Sequence, residues 1–176
     1  MTDIAEAPRP TNPLLVRRLC AFAELFGAAL LVGGLIATGA VGLTAFRSPD
    51  LLTHEQAGRF MARIFEGSLL VEATAVFLVV AGGIGGALSG GKASPLLLLL
   101  PILCFAPVAA HAKLSASMRG IRERHGGTLE GLAQDDPDRR EFGKLHGIYN
   151  GVALVVLGIG LASLGRHALR TAKGAE

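Results

Sequence analysis

Four stretches of this chain are apolar almost without interruption, and none of them shows a polar period. Leu25 to Phe46 and Ala73 to Gly91 hold no charged residue or histidine, Pro95 to Ala112 holds only His111, and Leu145 to Gly165 holds only His146. A helix on the surface of a soluble bundle carries a polar stripe at a period of 3.6 residues. Segments such as LLVGGLIATGAVGLTAF and PLLLLLPILCFAP have no such stripe. An α-helix rises ~1.5 Å per residue, so about 20 apolar residues cross a hydrocarbon core of ~30 Å. The pattern therefore predicts an all-α integral membrane bundle of four transmembrane helices, over residues 19–46, 64–88, 95–117 and 141–165. The four-helix transmembrane domain then covers 19–165, between a disordered, polar, Pro-rich tail over 1–18 and a basic C-terminal tail over 166–176.

Composition agrees. Hydrophobic residues make up 51% of the chain and mean hydropathy is +0.49, on the apolar side for a soluble domain. Arg17 and Arg18 precede the first span as they would precede a signal peptide. The apolar run is longer than the ~7–15 residues of a signal core and no small-x-small cleavage site follows, so this helix reads as an uncleaved anchor. The net charge of +3 comes largely from Arg and Lys flanking the spans, where they meet anionic headgroups of the lipid bilayer; no nucleic-acid partner is needed to explain it. Cys20 and Cys104 both fall in or beside spans, which suits small buried residues better than a disulfide or a metal motif.

Four spans put both termini on one side, and the loops around 47–63 and 117–140 on the other. The larger share of Lys and Arg lies on the long-loop side, which favours cytoplasmic long loops, although Arg17 and Arg18 pull the other way. After the third span a helical extension through Met118 to Arg124 should stop at Gly126-Gly127, and Asp135 or Asp136 before Pro137 should start the fourth helix with Pro at its first position. Gly143, Gly147 and Gly151 in span four, Gly34, Thr38 and Gly42 in span one, and GGIGG at the end of span two offer flat packing surfaces. They serve helix packing within the chain or a homodimer through Gly-rich faces. Pro101 and Pro107 each remove a backbone hydrogen bond and predict a kinked third helix.

Antiparallel alternation gathers most of the polar residues at one end. Span two brings Arg63, Glu66 and Glu72, span three brings His111 with Lys113, and span four brings His146 and Asn150 with Lys144. Ionisable groups within a span are costly and mark functional sites by default. Glu72 is the clearest, lying ~9 Å deeper than Glu66 by helical rise, with a side chain too short to reach the interface. The expected site is a polar pocket floored by Glu72, His146 and Asn150 and rimmed by His111, Arg63 and Glu66. Glu24 stands apart, near the opposite face.

Three readings of the cluster remain open: an interhelical hydrogen-bond network that only fixes register, a polar cavity for a small solute, ion or proton, and a haem or metal site. The last rests on His111 and His146 at similar depth on adjacent helices, as candidate axial ligands of haem b or ligands of a metal ion. No nucleophile elbow or phosphate loop is present, so the reading leans away from an enzyme.

The stretch DDPDRREFGKLHGIYN resembles the signature of the transmembrane protein 205-like family, with Asp136-Pro137, Phe142, His146-Gly147 and Asn150 as the matching residues. Phe46, Arg47 and Ser48, followed by an amphipathic entry into span two that includes Phe65, are similar to the same family. The resemblance covers residues 19–165. It implies a multi-pass membrane protein whose eukaryotic relatives are linked to drug or metal-drug export, and it suits the inner or plasma membrane of a bacterium.

Overall fold

The computed structural model describes residues 12–90 and 99–173. Among these the chain is all-helical: α1 is Pro13–Arg47, α2 His54–Ser89, α3 Leu99–Arg124 and α4 Pro137–Lys173. The expected N-terminal tail up to residue 11, the SGGKAS turn from residue 91 on, the first residues of the third span and residues 174–176 lie outside the described residues.

Each helix end has a local cause. Asn12 caps α1 by accepting from Leu14 N at 3.0 Å, and Pro13 fills the first helical position, where a missing N–H costs nothing. Thr53 and Gln56 close a reciprocal capping box at the start of α2, at 3.2 and 2.9 Å. The third helix ends where the glycine pair predicts. Gly126 adopts a left-handed φ of 68°, Gly127 N donates to Arg122 O at 2.8 Å, and Gly126 N donates to Glu123 O at 3.3 Å. These paired bonds close the last turn, and a side chain at Gly126 would strain it. The Asp136 carboxylate accepts from Asp138 N and Arg139 N at 2.8 and 3.3 Å, so α4 starts with Pro137 in its first turn. Helix α3 runs unbroken through Pro101 and Pro107.

The helices form a ring in which α1 packs on α2 and α4, and α3 packs on α2 and α4. Contacts run in opposite senses along every neighbouring pair. Gly82 lies by Glu24 and Gly42 by Met61; Glu66 meets Arg119 and Glu72 meets His111; Arg124 meets Asp138 and His111 meets Tyr149; Glu24 meets Arg166 and Gly160 lies by Leu31. All four seams are therefore antiparallel. One core is common to them, built from Ala28 and Leu31 of α1, Ala75, Val76, Val79 and Val80 of α2, Cys104 and Val108 of α3, and Val156 of α4.

The closest seam is α1–α2. A Cβ placed on Gly27 would stand 2.6 Å from Ala75 O, and one on Gly82 would stand 2.5 Å from Cys20 O. Both contacts are with backbone, which cannot swing away. Of the predicted glycine surfaces, the one ending α2 is thus used for close approach. Gly143, Gly147 and Gly151 of α4 have nothing within 4 Å of an added Cβ, and Gly34 meets only Val71 at 3.8 Å.

Apolar side chains also cover the outside. Leu70 is 74% exposed, Leu154 69% and Phe22 65%. Soluble monomers rarely show such extended apolar surface. Among the described residues three helices are long and apolar enough to cross a membrane: Pro13–Arg47, His54–Ser89 and Pro137–Leu169, with mean hydropathies of 2.1, 2.0 and 1.8.

Candidate functional site

Glu72 faces inward because α2 puts it one turn before Val76 and two before Val79 and Val80, all of them core residues. Only 6% of it is exposed, and none of His111 is. The His111 ring lies with Nδ1 at 2.9 Å from both carboxylate oxygens of Glu72, and its Nε2 donates to the Tyr149 carbonyl at 3.1 Å. That carbonyl can only accept, so Nε2 carries a hydrogen. Nδ1 and the carboxylate then have one proton between them. It sits on Nδ1, making an ion pair, or on Glu72, making a neutral pair, and either arrangement leaves the site without net charge. An additional proton, or one fewer, would put an uncompensated charge or two facing lone pairs in a buried site.

Aromatic packing holds the ring. Tyr149 stacks on His111 with centroids 4.2 Å apart and planes 18° apart, and Phe65 meets Tyr149 edge-on at 5.3 Å. Ser68 and Ser115 lie beside the Tyr149 hydroxyl. The Ser68 hydroxyl donates to Phe65 O at 2.9 Å, while the buried Ser115 hydroxyl oxygen completes no hydrogen bond at the distances found here. Three helices thus meet at one imidazole: α3 carries it as His111, α2 meets its Nδ1 through Glu72 and α4 meets its Nε2 through the Tyr149 carbonyl.

The other predicted site residues lie elsewhere. Glu66 is exposed and bonded to Arg119 at 2.9 Å across α2 and α3. Arg63, His146 and Asn150 are exposed, and His146 stacks on Phe142 one turn away. So Glu72 and His111 come together, and the expected floor of Glu72, His146 and Asn150 does not assemble within one chain. The reason is rotational. Successive residues of a helix turn by ~100°, and it is Tyr149 that points to the core, which carries Asn150 to the outside and leaves His146 on the exposed flank. For haem, the two candidate ligands differ in the same way: protein atoms occupy both nitrogens of His111, and His146 lies on the exposed flank. No group of three His, Cys, Asp or Glu able to hold a metal ion occurs among the described residues.

A second buried carboxylate lies at the opposite end of the bundle. Glu24 is 3% exposed and paired with Arg166 of α4. The sequence reading left Glu24 alone and assigned Arg166 to a tail, yet α4 continues to Lys173. Alternation would have joined them, because the start of α1 and the end of α4 lie on the same side. At the α3–α4 turn, outside the expected spans, Asp138 accepts from Arg124 at 2.8 Å and pairs with His125 at 2.7 Å. The hydrogen bond from Arg124, and then that from His125, hold the Asp138 carboxyl below its ordinary value.

An open groove lined by Ala40, Thr44, Leu51 and Phe60 lies at the α1–α2 turn and is almost wholly apolar. With the geometry in place, comparison adds nothing further. The chain matches no family model, no curated protein and no solved structure.

Proposed function

We propose that this chain is a four-span membrane protein of an inner or plasma membrane, and that it moves a proton, alone or with a small solute or ion, by way of the Glu72–His111 pair. Three described helices of sufficient length and hydropathy support the membrane reading. The uncharged run from Pro95, broken only by His111, supports a fourth span through α3. The observation that carries the functional reading is the pair itself: a carboxylate and an imidazole 2.9 Å apart and enclosed by the bundle. A proton that can sit on either partner without changing the net charge is a step a relay can use. Membership in the transmembrane protein 205-like family belongs to the same proposal and is supported by Phe142, His146 and Gly147.

The test is a pH step across proteoliposomes holding a trapped pH dye. Wild-type protein should collapse the gradient faster than empty vesicles, and Glu72→Gln should return the rate to that of empty vesicles while its thermal midpoint in detergent stays close to wild type. A second reading has its own support, since both ring nitrogens of His111 have partners within the bundle: the pair only locks three helices in register. On that reading Glu72→Gln lowers the midpoint and leaves the gradient unaffected.

A further inference from the structure

One face of α4 conflicts with a lipid environment. Gly143, Gly147, Asn150, Leu154 and Leu161 fall within about 60° of helical arc, all are exposed, and His146 flanks them. Asn150 makes no side-chain hydrogen bond among the described residues. Lipid tails offer a primary amide no partner, and a polar side chain at span depth faces protein or water. On the opposite side of the same helix, Tyr149 and Val156 are buried in the bundle, so rotating α4 to hide Asn150 would expose them. Among the described residues nothing covers this face, which leaves the cover to a partner.

We propose that this face is where two copies of the chain pair in the membrane. The inference rests on the membrane reading and is independent of proton movement. A second copy suits the face chemically. Two chains with the same orientation in one bilayer are related by an axis along its normal, so their α4 helices run parallel and equal depths meet. Asn150 then lies against Asn150 of the other copy. A primary amide carries both donor and acceptor, so it is its own complement. Gly143 and Gly147, one turn apart and open on this side, let the two backbones approach. Pairing also brings the two His146 rings beside the seam.

Disulfide trapping in native membranes tests this with the full chain. Leu154→Cys stands on the face and Val155→Cys about 100° off it, both at exposed positions; the parent chain, which keeps Cys20 and Cys104, sets the background. Oxidant should convert Leu154→Cys to a dimer and leave Val155→Cys at background. Adding Gly147→Ile to Leu154→Cys should reduce the dimer roughly fivefold or more. Among the described residues nothing lies within 4 Å of a Cβ at Gly147, so the substitution meets no packing of the monomer itself at that atom. Equal trapping at 154 and 155, or trapping that survives Gly147→Ile, overturns the proposal. So does a Leu154→Cys chain that stays monomeric in carbonate-washed membranes. A chain found only in the soluble fraction would instead overturn the membrane reading itself.

Discussion

Among the described residues two glutamates are buried, and they are kept in opposite ways. Glu24 lies near the chain termini and is paired with Arg166, whose side chain is 42% exposed. A guanidinium does not give up its proton, so that pair keeps its charges. Glu72 lies toward the other end and is paired with an imidazole that has no exposure at all. An imidazole can give up its proton and remain hydrogen-bonded. The surroundings differ too. Glu24 N stands 2.6 Å from where a Cβ on Gly82 would be, so backbone is pressed against backbone there. Glu72 meets the His111 ring, which stacks on Tyr149, and Phe65, Ser68 and Ser115 lie against Tyr149 in turn. One end of the bundle is a fixed clasp and the other is a site where a proton has two resting places.

The contrast has measurable consequences. The largest effect belongs to the clasp seam. Gly82→Val should cost about 3 kcal/mol or more, because the new side chain meets backbone and not a movable group; Gly39→Val, at an exposed position of α1 with nothing within 4 Å of an added Cβ among the described residues, should stay within about 0.5 kcal/mol. Thermal midpoints in detergent check both, and similar losses at the two positions would refute the packing described here. Next comes charge. Arg166→Ala strands a buried carboxylate and should cost toward the lower end of about 3–5 kcal/mol, since the arginine is partly exposed. Glu72→Gln should cost only about 1 kcal/mol, because the new amide N–H can donate to the bare Nδ1 of a neutral His111. If Glu72→Gln were the more damaging of the two, Glu72 would be a clasp as well.

The smallest effect is on the surface. The folded Asp138 carboxyl titrates below its ordinary value of 3.8. Its contribution to the α3–α4 turn is therefore complete above pH ~4 and is lost as pH falls through the depressed value. Amide exchange over residues 124–138 should rise below pH ~4 in wild type and show no such step in Asp138→Asn. A turn that loosens equally in both would remove Asp138 from its role.

Much of this was legible in the sequence, and the limit is physical. Helix ends at Gly126 and Asp136 are legible because caps depend on residues within one turn of one another; the α1 cap at Asn12 is not, because it falls inside the stretch 1–18 expected as a disordered tail, where α1 already begins at Pro13. Glu72 could be read because a short carboxylate deep in an apolar run has nowhere else to go. Its partners were harder. His111 was placed at the rim of the site when it is the most buried polar group of all, and Tyr149 contributes through a backbone carbonyl, which no side-chain pattern announces. Tyr149 and Asn150 are neighbours in the chain, one step and a turn of ~100° apart. Depth along a helix follows from counting, whereas rotation about its axis is set by what packs on the far side. Arg166 was missed because the apolar stretch ends before it, and the helix does not.

The Glu24–Arg166 contact also has a history in time. Its partners are 142 residues apart in the chain. At ~5–20 residues per second, the carboxylate waits roughly 7–30 s for its guanidinium during synthesis. Helices α1 and α2 can close on one another through Gly27 and Gly82 as soon as both exist, so this first hairpin is complete while its acid is still without a counter-ion. The arrival of the end of α4 ends that interval. A turn late in α4 thus finishes α1, and a nascent chain interrupted before residue 166 carries an open ring with its acid group unmatched.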